Sequence, residues 1–411
     1  MFATVAARFP PFLLPLIFIS LTGHMALSGG RLTGSMFVLQ NGMAESLVGV
    51  FMALFSIIPV MVSLAVGRWV DRAGAVRVMR VGVALVLAGA WLPVVFHSLT
   101  SVMIMAVTLG FGFNMLSLAA QHTVGHLVVD ASPSQRLANF GWYALGHSSS
   151  STLGPLIAGV LIDTLGFRAA FFALALFTCI AAFLVATRTR GLPRPSVQAS
   201  ERKTASASAI DDNGKLMPEK PSPRLVDLLA SAELRRIYWV NTVTTSAWDL
   251  FIVMLPVLGH RLGYSASIIG TVFSLFAVGT FVARAAMPWL SRHVNEWQIL
   301  RVMIGVIVLV FFALPWAIVA WSLMILGLIF GCAVGMSQPN MLSLLHSAAP
   351  PGRGGEAVGL RSVLGNGCSI LIPLGFGAAV APLGISALLI FGGVVFASAI
   401  VPTHHGARSR E

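Results

Sequence analysis

The residues best placed to do chemistry in this sequence are polar side chains inside long apolar segments. In the first of these segments, Ser20, His24, Ser28, Arg31 and Ser35 follow one another at intervals of 4, 4, 3 and 4 residues. Such intervals put all five side chains on one face of a helix. Because a charge inside a membrane faces a watery interior or a partner, Arg31 and His24 predict a cavity that binds a solute. In the alternative interpretation, Arg31 reaches the outer lipid headgroups or forms a structural pair.

A second polar stripe lies in the seventh apolar segment. Asn241, Thr245 and Asp249 are spaced four residues apart there, with Trp248 alongside, and Asp249 is the one acidic residue deep in a segment of the second half. We predict that all four face the cavity, and that Asp249 pairs with Arg31 in one state. Intramembrane carboxylates form proton relays, so we expect Asp249 to exchange a proton when substrate intervenes. A static pair that only stabilises the fold is the alternative.

Three other segments supply candidate substrate-binding residues. Asn114 and Gln121 lie on one helical face of the fourth segment, and Asn366 lies in the eleventh. His147 opens a run of hydroxyl-bearing residues in the fifth segment, where it is either a proton site or a hydrogen-bonded packing residue. His24 is the other side chain that we predict to carry a proton, because imidazole titrates near neutral pH.

The sequence lacks the patterns of several other functional classes. His122 and His126 have the i, i+4 spacing of a metal pair, but the sequence contains no HExxH motif, so we predict no metal site. None of the lysines sits in a GxxxxGK[ST] phosphate-binding loop, which argues against an ATP-driven pump. There is no nucleophile–base pair in the sequence, and we therefore predict no catalytic residues, no enzymatic activity and no cofactor.

The composition indicates the kind of structure in which these polar residues lie. Of the 411 residues, 57% are hydrophobic and 10% are charged, whereas a soluble chain carries about 25% charged residues. Lipid is the solvent that suits such a chain, and about 20 apolar residues cross its hydrocarbon core as a helix. We predict an all-α membrane protein with twelve spans near 11–38, 45–66, 78–97, 101–126, 137–162, 167–187, 235–259, 266–290, 298–318, 320–346, 355–381 and 383–402.

The positive charges predict how the chain sits in the membrane. The formal net charge is +12, and all Lys and Arg residues except Arg31, Arg168 and Arg261 lie on or near the side that holds both termini. Because Lys and Arg stay on the cytoplasmic side, we place both termini in the cytoplasm of a bacterial-type inner membrane. The charge therefore sets orientation in the lipid bilayer, and we predict no nucleic-acid partner.

One hydrophilic stretch divides the chain into two halves. Residues 188–230 are rich in Ser, Pro, Lys and Arg and low in aromatic residues, a composition that cannot bury a core. We predict a disordered cytoplasmic linker there, between an N-terminal six-helix bundle at 1–187 and a C-terminal six-helix bundle at 231–411.

The two halves also resemble each other in sequence. The letters WVDR at 69–72 align with WLSR at 289–292 at an offset of 220, and the pair LG at 145–146 aligns with LG at 364–365 at an offset of 219. Two matches at nearly one offset are better explained by duplication than by chance. Parallel six-helix repeats with a solute site between them are a known plan of transporters, so we expect two pseudo-symmetric bundles.

The loop after the second span carries a family signature. Residues 67–77 read GRWVDRAGAVR, and this GxxxDRxGxxR run at this place in the topology resembles the signature loop of the major facilitator superfamily. The resemblance implies a cytoplasmic latch built from Gly67, Asp71, Arg72, Gly74 and Arg77. In this latch we expect Gly67 to allow close approach of two helices and Asp71 to meet arginine side chains. A charged turn that only enforces topology is the alternative. Ala75 and Val76 depart from the family by replacing positions that are commonly basic, which weakens the expected latch.

Two charged residues of the second half are candidates for an inner gate. Arg284 lies in the inner part of the eighth span, and Glu356 opens the eleventh. We predict that these two residues form an ion pair that helps to close the cytoplasmic side.

The fifth span carries a second family motif. Gly141, Gly154, Pro155 and Gly159 follow the pattern G-x8-G-x3-G-P-x2-G-G, with Ser150 and Ala158 in place of glycines. In the family this motif is associated with exporters that exchange substrate for protons. The alternative is ordinary packing of small residues between helices. An arginine that drug exporters often carry in the fourth span is absent, since Ala106 occupies that place.

These observations lead to one prediction of function. We expect a secondary transporter that resembles the major facilitator superfamily in its drug-efflux-like branch, acting as a monomer by alternating access. Arg31 and His24 favour a small anionic or zwitterionic organic substrate, moved outward in exchange for protons. A proton-coupled importer of an organic acid or sugar is the first alternative, and a membrane-embedded enzyme, a channel or a sensor are the others.

Overall fold

A computed structural model of the chain describes residues 12–126, 133–189, 228–290, 292–350 and 353–408. Within these ranges the regular structure is helical, and no strand occurs. The helices are α1 Leu13–Gln40, α2 Ser46–Ala73, α3 Ala75–Val95, α4 Leu99–His126, α5 Pro133–Leu165, α6 Phe167–Arg188, α7 Ala232–Arg261, α8 Ala266–Leu290, α9 Glu296–Ala313, α10 Ala320–Gly335, α11 Ser337–Ala348, α12 Gly354–Leu383, α13 Ile385–Ala397 and α14 Ile400–Arg408. Nearly all of the predicted linker lies outside the described residues.

The sequence forms helices because a backbone in lipid must satisfy its own hydrogen bonds. Short turns reverse the chain between neighbouring helices. Gly74 joins α2 to α3 with φ of 86°, and Gly166 joins α5 to α6 with φ of 82°, a left-handed region that glycine enters without steric cost. At the start of α9, Asn295 and Gln298 form a capping box that bonds the first free backbone N–H groups.

Eleven of the helical segments are long and apolar enough to cross a membrane. They correspond to the predicted spans, apart from the fifth. That span is present as the 33-residue helix α5 but is not among the eleven. His147 and the run from Ser148 to Thr152 place polar groups in its middle, which lowers its hydropathy. A polar helix is stable at this place because its neighbours shield it from lipid.

The tenth predicted span is broken in two. The helix predicted over 320–346 divides at Met336 into α10 and α11. Pro339 follows three residues later, and proline excludes the hydrogen bond and the close approach of the carbonyl four residues before it. That carbonyl belongs to Gly335, the last residue of α10.

The packing of the helices shows the pseudo-symmetry of the two halves. In the first half, α1 packs against α5 and α6, and α3 packs against α4 and α6. In the second half, α7 packs against α12 and α13, and α9 packs against α10 and α13. Between the halves, α2 packs against α12 and α5 packs against α8. In the repeat, α2 corresponds to α8 and α5 corresponds to α12. The contact of α2 with α12 is therefore equivalent to the contact of α8 with α5. This arrangement confirms the all-α, two-bundle fold predicted from the sequence.

Candidate functional site

The two halves are joined at one end of the bundle. This Glu45 end holds the loops between α1 and α2, α5 and α6, and α7 and α8, and the opposite Asp71 end holds the turn between α2 and α3. Arg261 at the end of α7 donates from Nε and Nη2 to the two carboxylate oxygens of Glu45, at 2.6 Å each. Two parallel bonds of this kind fix the orientation of both charged groups. Arg261 and Glu45 therefore tie the C-terminal half to the N-terminal half.

Asp163 makes a second connection at the Glu45 end, just past the predicted fifth span. Its Oδ1 accepts a hydrogen bond from the N–H of Ala266 at 3.0 Å, and its Oδ2 accepts one from the N–H of Ser267 at 2.7 Å. Both donors belong to the first turn of α8, where free N–H groups and the helix dipole attract an anion. Burial raises the pKa of the Asp163 carboxyl, but hydrogen bonds from Ser267, Ser265 and Ala266 outweigh burial and hold that pKa below its ordinary value.

The contacts between the halves end part-way through the bundle. Ser274 Oγ donates to the carbonyl of Thr152 at 2.7 Å, across the boundary between α8 and α5. Nearer the Asp71 end, Gly141 of α5 and Gly359 of α12 face open space, since a Cβ added to either would meet nothing within 4 Å. The halves therefore meet at the Glu45 end and separate toward the Asp71 end.

A cavity of about 760 Å³, partly open to solvent, lies between the two halves. This volume includes the part of the cavity that is open to solvent. Four residues predicted to bind substrate or protons meet here: His24, Arg31, His147 and Trp248. The full lining is His24, Leu27, Ser28, Arg31, His147, Ser148, Ser151, Pro155, Trp248, Ile252, Phe273, Phe276, Ala277, Thr280 and Arg284.

The wall formed by α1 and α5 holds both histidines. The rings of His24 and His147 pack with their centroids 3.8 Å apart, and Nδ1 of His24 lies 2.7 Å from Ser150 Oγ. Two adjacent charges of one sign disfavour each other, so the pair is suited to exchange one proton rather than two. The part of the chain that the structure describes contains no group of three or more His, Cys, Asp or Glu side chains able to hold a metal ion.

Arg31 and Asp249 do not form the predicted ion pair in this structure. The Arg31 guanidinium lies over the Phe55 ring, 5.2 Å from its centroid, and its buried Nε has no hydrogen-bond partner. Asp249 Oδ2 instead accepts a hydrogen bond from Ser369 Oγ at 2.9 Å. The two charges interact through space but are not within the 4.0 Å of a salt bridge.

Asn241 and Thr245 face α12 and do not line the cavity. Arg361 Nη1 donates to Asn241 Oδ1 at 3.3 Å, and one turn further along both helices Thr245 is the nearest side chain to Gly365. The hydrogen bond that Asp249 accepts continues this series by one more turn. The stripe predicted from the sequence is a real helix face, but its first two residues pack in the seam between α7 and α12.

Three more predicted substrate-binding residues lie outside the cavity lining. Asn114 Oδ1 accepts a hydrogen bond from Ser63 Oγ at 3.3 Å. Gln121 is exposed and donates to Ser117 Oγ at 2.8 Å, and Asn366 is also exposed. The sequence shows which residues share a helix face, but the neighbours of the helix decide where that face points.

The predicted gate pair of Arg284 and Glu356 is not formed. Glu356 pairs with Arg353 at the start of its own helix, at 2.6 Å, because a residue three positions away on a helix is an immediate neighbour. Arg284 lies in the cavity wall, where its Nη1 is 3.5 Å from Ser148 Oγ. Arg284 is therefore placed to meet a ligand.

Sequence reasoning missed the part of the cavity wall that α8 supplies. The rings of Phe276 and Trp248 meet edge to face with centroids 4.8 Å apart, and Phe276 stacks on Phe251 at 5.3 Å. Phe276, Thr280 and Arg284 are spaced four residues apart and all line the cavity. The same spacing revealed the stripes of α1 and α7, so this signal was available in the sequence.

The comparison with known families agrees with this architecture. A sequence profile of the Major Facilitator Superfamily matches residues 9–373. The chain belongs to this superfamily. It is therefore a multi-pass membrane transporter, and the fold and the central cavity are to be interpreted in that frame.

Two known proteins are similar to the chain in sequence. The human protein named solute carrier family 67 member A1 is 24% identical over 326 residues, which cover 76% of this chain and 73% of the relative. Multidrug resistance protein MdtG of Enterobacter lignolyticus (strain SCF1) is 26% identical over 207 residues, which cover 50% of this chain and 46% of that protein.

Solved structures of transporters share the fold. A POT family transporter in complex with 5-aminolevulinic acid superposes with a TM-score of 0.73 at 14% identity, covering 96% of this chain and 95% of that one. A bacterial homologue of the human lysosomal transporter Spinster, in an inward-facing and occupied conformation, gives 0.72 at 13% identity, with coverage of 97% and 98%. Identities this low establish the arrangement of helices alone.

The signature loop of the superfamily is present with a different partner for its aspartate. Asp71 Oδ1 lies 3.2 Å from Nε2 of His122 at the end of α4, within the same half. Arg72 and Arg77, which the resemblance implies as partners of Asp71, are exposed. A Cβ added to Gly67 would meet nothing within 4 Å, so the close helix approach predicted at Gly67 is not present.

The superfamily's fifth-span motif packs α5 against two helices. A Cβ added to Gly154 would overlap Ser28 of α1, and one added to Gly159 would overlap the backbone of α8 at Ala266. The carbonyl of Pro155 likewise touches Gly270 of α8. Gly141 has no such neighbour, because α5 has already separated from α8 at that level. Three of the four predicted packing residues therefore lie in close helix contacts.

Proposed function

We propose that this transporter couples the movement of a small organic anion or zwitterion to the proton gradient by alternating access. The observation that carries the proposal is the central cavity between the halves, where Arg31, Arg284, His24 and His147 converge. Arginine side chains recognise carboxylates and similar anions through paired N–H donors. A cavity at the interface of two repeats is also where the superfamily plan requires a substrate site.

Alternating access follows from the way the halves touch. In the proposed cycle the substrate enters from the Asp71 end, where the halves are separated, and reaches the cavity. The halves then close at that end and part at the Glu45 end, which requires breaking the bond between Arg261 and Glu45 and the contact of Asp163 with α8. By the positive-inside rule the Asp71 end faces the cytoplasm, so this structure corresponds to an inward-facing state.

Asp249 is the proposed coupling residue. It is near Arg31 but is held by Ser369 (2.9 Å), so a small movement of α7 against α12 is enough to exchange one partner for the other. Protonation removes the carboxylate charge and with it the attraction to Arg31. The protonation state of Asp249 thereby decides whether Arg31 is available to a ligand.

Export in exchange for protons is our preferred direction, because Gly154, Pro155 and Gly159 of the exporter-associated motif lie in the helix contacts of α5. Proton symport is the second candidate, and it is favoured by the through-space interaction of Asp249 with Arg31. If an anionic ligand competes with the Asp249 carboxylate for Arg31, protonation of Asp249 promotes binding of that ligand. By linkage, proton and anion then bind together and move in the same direction.

Transport by proteoliposomes tests coupling and direction together. Protein-loaded and protein-free vesicles are compared under imposed pH gradients, with a panel of labelled organic acids and amino acids. An exchanger accumulates substrate when the interior is acidic, whereas a symporter accumulates it when the exterior is acidic. Counterflow, measured without a gradient, identifies a carrier, since a channel or sensor shows no stimulation by unlabelled substrate inside the vesicle.

The variant Asp249→Asn isolates the coupling step. We expect it to retain counterflow and to lose accumulation driven by a pH gradient, because an amide cannot exchange the proton. Unchanged gradient-driven accumulation by Asp249→Asn would reject the proposed role of Asp249.

A further inference from the structure

No described side chain forms an ion pair with Arg284 in the cavity wall. Among the residues that the structure describes, its only hydrogen bond is the long one to Ser148 Oγ, at 3.5 Å, and no carboxylate lies within 4.0 Å of it. A half-buried guanidinium without a counter-ion loses hydration and gains no partner in return. An anion bound beside Arg284 would supply the missing charge.

Arg31 is in a different position, although it lines the same cavity. Asp249 interacts with it through space, so the charge of Arg31 is partly balanced from within the protein. Arg31 and Asp249 together suit the coupling step. Arg284 is thus the cavity cation that depends most on a ligand.

Other polar side chains line the cavity together with Arg284. His147 lines the cavity beside it, close enough for their charges to interact. The hydroxyls of Ser148 and Ser151 lie on the same stretch of α5 and line the same cavity. Ser151 Oγ already donates to the carbonyl of His147 at 3.0 Å. The guanidinium of Arg284, the imidazole of His147 and the hydroxyl of Ser148 therefore form the site for a carboxylate or a similar anion.

An apolar surface continues from this anion site along the same helix. Phe276 and Arg284 lie on one face of α8, separated by eight residues, which is about 12 Å of helix rise. Trp248 packs edge to face on Phe276 at 4.8 Å, and Ile252 extends the apolar surface on α7. A ligand that touches both ends must be elongated and must carry an apolar body.

We infer that the cavity takes an amphipathic organic anion, whose anionic group binds Arg284, His147 and Ser148 and whose ring lies against Trp248 and Phe276. The inference rests on the proposed function only in taking this cavity as the substrate site. It narrows the substrate class from any small anion or zwitterion to aryl-alkyl acids. Aromatic surface adds apolar burial, and edge or stacking contacts with rings add further affinity.

Isothermal titration calorimetry of the purified full-length protein with simple probes tests this inference. The acids are benzoate, 3-phenylpropionate and 4-phenylbutyrate, which place a carboxylate at increasing distances from a ring. Acetate lacks the ring, and 3-phenylpropionamide lacks the charge. We expect at least one of the three aromatic acids to bind about tenfold or more tightly than the neutral amide, because a charge-assisted pair is lost. Acetate should show no measurable binding.

Variants assign the binding to the residues named here. Arg284→Gln should abolish the difference in affinity between the aromatic acid and the neutral amide. Arg284→Lys should keep part of this difference, since lysine retains the positive charge but lacks the planar guanidinium with its paired N–H donors. Trp248→Ala should weaken the aromatic acids. Arg168→Gln, which changes an exposed arginine far from the cavity, should bind as the wild type does. Melting curves of each ligand-free variant identify those that fail to fold, and Arg284→Lys remains informative if Arg284→Gln does.

Three outcomes would overturn the inference: no aromatic acid binds, the amide binds as tightly as the acid, or Arg284→Gln and Arg284→Lys both retain wild-type affinity. Failure of the proposed function looks different. An acid that binds through Arg284 but shows no counterflow in vesicles would contradict the transport proposal and leave the assignment of the anion site intact. Proton-driven transport of the acid with unchanged affinity in both arginine variants would contradict the anion site alone.

Discussion

Ser150 and Ser369 are equivalent residues of the two halves, and each hydrogen-bonds the titratable side chain of the first helix in its own half. They are separated by 219 residues, the offset that aligns the fifth and eleventh spans. Ser150 Oγ lies 2.7 Å from His24 Nδ1, and Ser369 Oγ donates to Asp249 at 2.9 Å. The two halves thus carry a serine hydroxyl at equivalent positions. The hydroxyl contacts an imidazole in the first half and a carboxylate in the second half.

Removing the hydroxyl of Ser369 should alter proton coupling. In Ser369→Ala, Asp249 loses its hydrogen-bond donor and is free to move toward Arg31, so the midpoint of the pH profile for gradient-driven uptake should change. Loss of a hydrogen bond to a charged group also costs about 1.5–3 kcal/mol of stability, which a melting curve will report. Ser369→Thr keeps the hydroxyl and should behave as the wild type.

Ser362→Ala is the matched control on the same helix. Its hydroxyl is exposed and bonds only its own helix, at the carbonyl of Val358. A pH profile that is identical in Ser369→Ala, Ser362→Ala and the wild type would show that Ser369 does not position Asp249.

Breaking the bond between Glu45 and Arg261 should favour the state that is open at the Glu45 end. Both side chains are partly exposed, at 22% and 37%, so the pair contributes about 0.5–1 kcal/mol. Glu45→Gln should therefore change the ratio of the two states about two- to fivefold, measured as spin-label distances across that end. The charge swap, Glu45→Arg with Arg261→Glu, should restore the wild-type distances. If the distances in the double variant were as far from wild type as those in either single variant, the pairing would be contradicted.

Acid should also loosen the Glu45 end, through Asp163. Its pKa in the closed state is lowered by the hydrogen bonds from the start of α8, whereas in the open state it returns toward the ordinary value of about 4. A carboxyl with a lowered pKa stabilises the closed state fully above its ordinary pKa, and this contribution is lost as the pH falls through the lowered value. The same spin-label distances, followed from neutral pH down to about pH 3, should lengthen in the wild type.

Asp163→Asn separates this effect from general acid unfolding. The amide cannot titrate. The variant should therefore show longer spin-label distances across the Glu45 end at neutral pH, and these distances should change less on acidification. Glu233→Gln, at the other end of α7, should titrate as the wild type does. Equal acid responses in Asp163→Asn and the wild type would remove Asp163 as the cause.

The sequence was sufficient for the helices and for part of the site. Apolar length located the spans, and spacing along α1 placed His24 and Arg31 on the face that lines the cavity. The same spacing on α7 found a real helix face, yet Asn241 and Thr245 pack against α12. A stripe shows which side chains point in one direction, whereas the rotation of the helix among its neighbours depends on contacts between segments far apart in the chain.

The partners of charged residues were the least predictable part. Glu356 was expected to reach Arg284 and instead pairs with Arg353, three residues away. Asp71 pairs with His122, a residue that the sequence suggested only as a weak metal ligand. A charge takes whichever partner the packing brings nearest, and single-sequence reasoning has no measure of distance between helices. The role of each of these residues in gating stays a prediction.

Two glycines of α2 offer a matched pair for testing how the halves meet. A Cβ added to Gly49 would overlap the carbonyl oxygen of Pro373 and come within 2.9 Å of Gly377 Cα, both on α12. A Cβ added to Gly67 would meet nothing within 4 Å. Gly49→Ala should therefore push α2 away from α12 at the Glu45 end at a cost of about 1–3 kcal/mol. Gly67→Ala should be neutral or stabilise the helix by up to about 1 kcal/mol.

Melting temperature and spin-label distance distinguish these expectations. Gly49→Ala should melt lower and show longer distances across the Glu45 end, because α2 and α12 belong to different halves and their contact helps to close that end. Gly67→Ala should neither lower the melting temperature nor lengthen the distances across the Glu45 end. If Gly67→Ala were the damaging variant, then Gly67 would be packed closely in another state of the transport cycle, as the signature loop of the superfamily implies. The separation of the halves at the Asp71 end would then be one stage of a movement that brings Gly67 against a neighbouring helix.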